Sequence, residues 1–309
     1  MHQECAWGSH KPFDRARRAA ERKQKNMEQL LDTFFVHLSA DGSTPASTLK
    51  AYRTDLTQCV SFLAERGIVD IQALQPDHLQ SFCAWLEHQG YAAATIARRV
   101  VSLRAFSAFL LDLGMLTSDP CANLHSPVVT RTPRATVTPE QITALRALME
   151  RDTTAEGWRD RAMLDVLLAT ALRASDLVAL DVGDITLDAA TVTVRGRKPR
   201  ALALTPAAVM TLATYLHLAR PKLLRAHPTK PALFLNHQGE RLTRQGYWVV
   251  LKQHARQLGL DGITPEALRQ SVASQRFADG ARLDDVQALL GHAARKTTAV
   301  YRLRPSITA

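Results

Sequence analysis

Apolar residues recur at helical spacing over most of this chain and alternate with polar residues in one stretch. The helical spacing predicts four helices in the N-terminal part, over residues 27–39, 46–66, 76–89 and 93–113. Because the connections between them are short, these helices should pack as a compact bundle. Alternation over residues 185–205 predicts two or three strands, with a tight turn from Gly196 to Pro199. The expected fold class is mostly α-helical with a small β-sheet.

A proline-rich segment without periodicity divides the chain. Residues 118–139 contain four prolines, and Thr138 followed by Pro139 is typical of a helix N-cap with proline at the first helical position. The length of 309 residues allows two domains with cores of their own. The predicted divisions are an N-terminal arm over 1–26, a helical bundle over 27–125, a linker over 126–137 and an α+β domain over 138–309.

The charge balance favours a polyanionic partner. Lys and Arg number 39 against 29 Asp and Glu, which gives a net charge of +10. Residues 11–26 hold seven of these basic residues and two acidic ones, so the short arm supplies about half of the excess. Two interpretations of the arm stay open, a solvated tail and a segment that follows DNA phosphates.

The sequence gives no indication of a membrane span, a disulfide framework or a metal site. No apolar run reaches the 18 residues of a membrane span, so we expect a soluble, cytoplasmic protein. The four cysteines form no C-x-x-C pair and are expected to be reduced thiols. Four histidines lack the spacing of metal ligands, so we expect them to be surface or capping groups. They are His217, His227, His237 and His254.

Candidate chemistry concentrates near the C-terminus, in Arg269, His292 and Tyr301. Thr264 and Pro265 predict the start of the helix that carries Arg269. A second helix should be capped by Asp284 and end at Gly291, which leaves His292 at a turn. Thr297 or Thr298 should open the last helix, with Tyr301 in its first turn.

This segment contains an arginine, then a Leu-Leu-Gly-His turn, and then a tyrosine nine residues after the histidine. In this order the features resemble the catalytic half of the tyrosine recombinases, the phage integrase family that includes the Xer proteins. The upstream segment LLATALRASDL is similar to that family's T-G-L-R-x-S-E-L pattern and places Arg173 at its first catalytic arginine, 96 residues before Arg269. Asp176 stands where the family usually has glutamate. Ser47, Tyr52, Asp55 and Leu56 resemble the family's N-terminal DNA-clamping, SAM-like bundle.

The resemblance implies a division of labour in DNA strand cleavage and rejoining. Tyr301 would be the nucleophile that forms a 3′-phosphotyrosyl link, and Arg173 and Arg269 would neutralise the phosphate. His292 would hydrogen-bond the same phosphate. Lys198 on the hairpin turn would protonate the leaving oxygen, with Arg195 as the alternative. The implied partner is double-stranded DNA, bound by a homotetramer on paired sites, and the implied chemistry needs no metal or ATP.

Further arginines are candidate DNA contacts. Ile96, Val100, Leu103, Phe106 and Leu110 form the predicted inner stripe of the fourth helix, which leaves Arg98, Arg99 and Arg104 for its other faces. On the hairpin the candidates are Arg195, Arg197 and Arg200.

Glu266 departs from the family pattern, because it stands where the family has histidine, and Gln270 follows Arg269. An ionised carboxylate 4 Å from the reacting phosphate would oppose the reaction by roughly 4 kcal/mol at an effective dielectric near 20. If Glu266 instead turns outward in the first helical turn, the position is favourable, and this is the orientation we expect. The predicted function is a site-specific recombinase, and the alternative is a catalytically silent DNA-binding protein of the same descent. A type IB topoisomerase is disfavoured by the predicted four-helix bundle.

Overall fold

The computed structural model describes residues 27–40, 42, 44–129, 137–195, 199–224 and 231–302. The chain divides between residues 132 and 133 into two compact units. This division falls inside the predicted linker over 126–137. The basic arm over 1–26 lies outside the described residues.

The N-terminal unit contains the four predicted helices, which are α1 (residues 27–40), α2 (Ala46–Ala64), α3 (Pro76–His88) and α4 (Ala93–Asp112). A 3₁₀ turn over Ile71–Ala73 connects α2 to α3. All five residues of the predicted inner stripe of α4 are buried. Phe34 from α1 lies 5.3 Å from the rings of both Phe106 and Phe109, so an aromatic cluster joins α1 to α4.

A buried carboxylate organises the arginines of α4. Asp55 on α2 is 1% exposed and accepts hydrogen bonds from Arg98 Nη1 and Ser102 Oγ. Arg99 is 5% exposed, with Nε 3.4 Å from Asp55 Oδ1 and its guanidinium 4.1 Å from the centroid of the Tyr91 ring. The prediction that Arg99 lies on an outer face of α4 is therefore wrong, because this arginine compensates a buried charge.

The other two arginines of α4 retain exposed surface. Arg98 is half-exposed, and Arg104 is exposed while its Nη2 donates to the carbonyl oxygen of Leu124 at 2.8 Å. Both stay predicted DNA contacts.

Among the residues described, the C-terminal unit contains nine further helices. They are α5 (Pro139–Glu150), α6 (Ala155–Thr170), α7 (Ala174–Ala179), α8 (Pro206–Thr214), α9 (Arg220–Leu224), α10 (Arg244–Gln257), α11 (Pro265–Ala278), α12 (Leu283–Leu290) and α13 (Arg295–Ala299). A π-helical turn over Tyr215–Ala219 joins α8 to α9. Thr138 caps α5 as predicted, since its hydroxyl accepts from the backbone N–H of Gln141.

The predicted sheet has three antiparallel strands in the order β1 (Ile185–Thr186), β2 (Thr191–Val194) and β3 (Arg200–Ala203). Val192 pairs with Leu202, and Val194 pairs with Arg200. Val192, Val194 and Leu202 are buried in the same core as α6, so one face of the hairpin points inward. The turn residues Gly196, Arg197 and Lys198 lie outside the described part of the chain.

Helix α6 is the centre of the C-terminal unit. It packs against α5, α8 and α11 and is buried on nearly all sides. Such a helix fixes the position of the chain that leaves its C-terminus, where Arg173 follows. In the described residues, no helix is long and apolar enough to cross a membrane.

Three of the four cysteines lie in the N-terminal unit as free, buried thiols. Burial is the main cause that raises the pKa of Cys121, to about 12, and it also raises the pKa of Cys59 and Cys83. These thiols are therefore protonated and unreactive at neutral pH. Cys5 lies in the arm, outside the described residues.

Removal of the Asp55 charge should destabilise the N-terminal unit. In Asp55→Asn the guanidinium of Arg99 stays buried without its counter-ion, so we expect a loss of about 3 kcal/mol in the free energy of unfolding. Asp32→Asn is the control, because Asp32 and its partner Arg53 are both exposed and their pair contributes less than about 1 kcal/mol. Calorimetric unfolding of the full chain measures both changes. Equal losses in the free energy of unfolding for the two variants would show that the Asp55 cluster contributes no more than an exposed ion pair.

Candidate active site

Helix α11 begins as predicted and carries Arg269 into the interior. Thr264 Oγ1 accepts from the backbone N–H of Ala267 at 3.0 Å, and Pro265 occupies the first helical position. The buried face of α11 includes Leu268 and Arg269. An arginine buried beside leucine must find polar partners inside the protein.

Two predicted boundaries in the last helices are wrong by a few residues. Helix α12 starts at Leu283, so Asp284 lies in its first turn, where an acid is favourable, and does not cap it. Helix α13 starts at Arg295, before Thr297, and ends at Ala299. Tyr301 therefore follows this short helix in a turn and does not lie in its first turn.

Gly291 ends α12 as predicted, in a left-handed conformation with φ of 61°. The next residue, His292, donates its backbone N–H to the carbonyl oxygen of Gln287 at 3.2 Å. The side-chain amide of Gln287 in turn donates to the carbonyl oxygen of His292 at 2.9 Å. These two bonds hold the histidine at a turn of fixed geometry.

Arg269 is 1% exposed and donates hydrogen bonds to two helix ends. Nη1 donates to the carbonyl oxygen of Ala171, and Nη2 donates to that of Leu290 at 2.8 Å. Ala171 ends α6 with φ of 50°, a left-handed conformation, at the position where the T-G-L-R pattern has glycine. Burial first, and then the charge of Arg173, lowers the pKa of Arg269 to about 10. The guanidinium therefore stays cationic at neutral pH.

His292 lies between Arg269 and Thr298. Its Nε2 is 3.2 Å from Arg269 Nη2, and its Nδ1 is 2.9 Å from Thr298 Oγ1. Because a guanidinium can only donate, Nε2 accepts, and the ring proton is assigned to Nδ1. Burial, followed by the charges of Arg269, Arg173 and Arg200, lowers the pKa of His292 to about 4. The imidazole is therefore neutral at neutral pH.

Tyr301 stacks on His292. The two ring centroids are 6.0 Å apart with planes inclined by 20°, and the tyrosine is 9% exposed. Its neighbours in the small apolar cluster beneath include Val272 and Leu290. The structure thus brings together Arg269, His292 and Tyr301, which the sequence places up to 32 residues apart.

Arg173 lies at the start of α7 with a half-exposed side chain, and its Nη1 is 3.9 Å from Asp176 Oδ2. It is close enough to lower the pKa of both Arg269 and His292. An open cavity of about 480 Å³ borders Arg173.

The same cavity is lined by two residues that sequence reasoning missed, Arg244 and Trp248 in the first two turns of α10. A basic and an aromatic residue four positions apart in a helical stretch was the available signal, because such residues share one face of a helix. A cation beside an exposed indole is a suitable surface for nucleic acid.

Glu266 faces the site, contrary to the expected outward orientation. The carboxylate lines the cavity with Arg173, accepts a hydrogen bond from Gln270 Nε2 at 3.1 Å and opposes the lowering of the pKa of Arg269. The helix start at Pro265 is as predicted. The side chain is held on this side by the hydrogen bond from Gln270, one turn later, and by its attraction to Arg269.

The two described arginines of the hairpin have different surroundings. Arg195 is mostly exposed and forms ion pairs of 2.7 Å with both Asp181 and Asp184. Arg200 is half-buried, and its guanidinium contacts the backbone at Gly291. Arg197 and Lys198 lie outside the described residues, so their predicted roles stay predictions.

Two family profiles match this chain. The phage integrase family matches residues 135–304, and the phage integrase N-terminal SAM-like domain matches residues 31–114. The tyrosine recombinase XerC of Herpetosiphon aurantiacus is 41% identical, over 89% of this chain and 90% of its own length. The tyrosine recombinase XerD of Listeria monocytogenes is 36% identical, over 89% of this chain and 94% of its own length.

The fold is also similar to a solved structure of the Tn1549 transposon integrase in complex with transposon right end DNA. The TM-score is 0.71 at 15% identity, over 89% of this chain and 95% of that chain. At this identity the similarity concerns the fold. From the profiles, the identity to its relatives and the cluster of Arg269, His292 and Tyr301, this chain belongs to the phage integrase family and is a tyrosine recombinase.

Proposed function

We propose that this tyrosine recombinase cuts and rejoins double-stranded DNA through a 3′-phosphotyrosyl link at Tyr301. The observation that carries the proposal is the contact of Tyr301 with His292, which is itself hydrogen-bonded to the buried Arg269. The tyrosine oxygen attacks phosphorus, the bond to the 5′ oxygen breaks, and that oxygen leaves with a proton. The new phosphodiester retains the bond energy, so a 5′ hydroxyl can reverse the step without ATP.

Arg269 and Arg173 neutralise the phosphate in this proposal. Arg269 is held by two backbone carbonyls, so its orientation is fixed before DNA arrives. Arg173 keeps an exposed guanidinium beside the cavity, where it can grip two phosphate oxygens. Because guanidinium groups supply the charge, the proposed reaction uses no metal ion.

Lys198 is the proposed acid for the leaving 5′ oxygen. A free phenol has a pKa near 10, so Tyr301 must also pass its own proton to a neighbouring base as it attacks. The alternative acid, Arg195, is less suitable because Asp181 and Asp184 occupy its guanidinium and raise its pKa.

DNA contacts beyond those of Arg173 and Arg269 are proposed for both units. The proposed contacts are Arg98 and Arg104 in the bundle, and Arg195, Arg197 and Arg200 on the hairpin. Arg244 and Trp248 add a cationic and aromatic surface beside Arg173. We further propose action as a homotetramer on paired sites, in the cytoplasm where chromosomal DNA is accessible.

A catalytically silent DNA-binding protein is the disfavoured alternative. Its basis was Glu266 in place of histidine, yet Arg173, Arg269, His292 and Tyr301 are all present, and the last three are in contact. Such preorganisation has no use in a protein that only occupies a site. Covalent trapping on a nicked duplex, whose cleaved end diffuses away, separates the two functions. A recombinase accumulates the covalent adduct, and a silent DNA-binding protein forms none.

Tyr301→Phe should abolish the covalent protein–DNA adduct and leave DNA binding intact, because it removes only the attacking oxygen. Tyr247→Phe is the matched control, since the Tyr247 hydroxyl is buried without a hydrogen-bond partner in the described residues. Denaturing electrophoresis of a labelled nicked duplex measures the adduct, and a mobility shift measures binding. An adduct formed by the Tyr301→Phe protein would place the nucleophile elsewhere.

Glu266→Gln should accelerate single-turnover cleavage about tenfold, because it removes a negative charge from the cavity beside Arg173 and retains its shape. Glu140→Gln is a close control, because Glu140 follows a Thr-Pro cap in α5 just as Glu266 does in α11, but is exposed. We expect no change in rate for this control. Slower cleavage by Glu266→Gln would instead mean that the carboxylate positions the arginines.

Thr298→Val should slow cleavage about tenfold by removing the hydroxyl that accepts from Nδ1–H and fixes the ring orientation of His292, while keeping the side-chain shape. The neighbouring Thr297 is exposed, and Thr297→Val should cleave at the wild-type rate. Nitrogen NMR shifts of His292 distinguish this role from a general loss of stability. A slower Thr298→Val protein with unchanged Nδ1 and Nε2 shifts of His292 would contradict it.

A further inference from the structure

Arg200 lies where the sheet meets the turn that carries His292. It is the first residue of β3 and pairs with Val194 on β2. Paired residues on neighbouring strands share a face of the sheet, and Val194 is buried in the core. Arg195 follows β2 directly and pairs instead with Asp181 and Asp184.

The guanidinium of Arg200 packs against the backbone at Gly291. A Cβ atom built on Gly291 would lie 2.6 Å from Nη1 and 2.7 Å from Cζ of Arg200, closer than such atoms approach. Glycine at this position thus serves both the left-handed turn and the close approach of the arginine. The contact brings the arginine to the residue adjacent to His292.

Two donors of Arg200 are buried and unused. Nε and Nη2 are buried and have no hydrogen-bond partner in the described part of the chain. A buried donor left without a partner costs about 1–3 kcal/mol, more when it is charged. Such donors also occur on Arg99, Arg146 and Arg161, but those of Arg200 lie at the turn that carries His292. The unused donors of Arg200 therefore indicate a ligand with acceptor oxygens.

The charges around Arg200 indicate that this ligand is an anion. Burial is the main cause that lowers the pKa of Arg200; Asp176 opposes this, and the charge of Arg173 adds a smaller lowering. Arg200 also contributes to the lowered pKa of His292, as do Arg269 and Arg173. Three guanidinium groups thus act on one imidazole, with Asp176 and Glu266 as the nearby acids. A phosphodiester placed among them relieves the repulsion between like charges.

We propose that Arg200 is a third arginine of the reactive centre and donates from Nε and Nη2 to a nonbridging oxygen of the phosphate that Tyr301 attacks. The inference rests on the proposed function and assigns Arg200 a direct part in it. Nε and a terminal nitrogen of one guanidinium form the fork that suits a phosphate group.

The test is single-turnover cleavage of a nicked duplex by Arg200→Met and Arg200→Lys, with DNA affinity measured separately. Loss of one preorganised donor pair should slow Arg200→Met about 100-fold, with DNA affinity changed by less than about threefold. Lysine restores the charge without the fork, so Arg200→Lys should lose only about tenfold. Arg151→Met, which changes an exposed arginine at the end of α5, should match the wild type.

A second substrate locates the contact. A methylphosphonate replaces one charged nonbridging oxygen of the attacked phosphate with a methyl group, so the donors of Arg200 lose their acceptor there. The defect of Arg200→Met should shrink from about 100-fold to a few-fold on this duplex, since the wild type then loses the same interaction. A methylphosphonate one phosphate away should leave the full defect.

Each other outcome overturns the inference in a distinct way. A defect of equal size on all three duplexes would mean that Arg200 only supports the fold. A defect that disappears with the neighbouring methylphosphonate would assign Arg200 to that phosphate. If Arg200→Met does not fold, Arg200→Lys carries the same comparison of substrates. Failure of the wild type to form a Tyr301 adduct would refute the proposed function itself, whereas adduct formation by Arg200→Met at the wild-type rate refutes this inference alone.

Discussion

The burial of one cation, the guanidinium of Arg269, is the constraint on which the active site depends. A charge removed from water must be compensated inside the protein. Here the compensation comes from the carbonyl oxygens of Ala171 and Leu290, at the ends of α6 and α12. Helix C-termini carry unpaired carbonyls and partial negative charge, so they are natural partners for a cation. Arg269 on α11 thereby fixes two further helices relative to its own.

This arrangement also determines the state of the neighbouring histidine. Arg269 donates to Nε2 of His292, and burial together with the positive charges of three arginines lowers the pKa of the imidazole and keeps it neutral. Thr298 completes the alignment from the other side of the ring. The aromatic stack of His292 with Tyr301 then places the tyrosine next to the cationic centre. A site prepared in this way requires little rearrangement when an anion arrives, which is the basis of electrostatic catalysis.

Arginine content alone is a poor guide to DNA contacts in this protein. Arg99 lies in a helix that the sequence marks as basic, yet its guanidinium is buried against Asp55 and Tyr91. Arg195 and Arg200 belong to one hairpin, yet one pairs with carboxylates at the surface and the other reaches the active centre. Arg200 begins β3 and shares the face of the buried Val194, whereas Arg195 lies just beyond the end of β2. The environment of each arginine decides what it can bind, and the number of arginines in an element does not.

The sequence by itself determined the features that depend on residues within a turn or two of one another. The Thr-Pro caps at Thr138 and Thr264, the inner stripe of α4, the hairpin and the glycine stop at Gly291 all follow from local propensity and periodicity. The order and spacing of Arg173, Arg269, His292 and Tyr301 likewise pointed to their shared site. Boundaries set by weak caps, at Leu283 and Arg295, could not be located so closely.

Tertiary structure alone decided the partners of side chains distant in sequence. Glu266 lines the cavity beside Arg173 and is hydrogen-bonded to Gln270, although its local position in α11 also suits an outward orientation. Arg99 is buried because Asp55 lies on a helix 44 residues earlier in the chain. Arg200 reaches the turn that carries His292 because the sheet packs beside the end of α12. Charge pairing acts through space, so the sequence names the charged groups while the fold selects which of them meet.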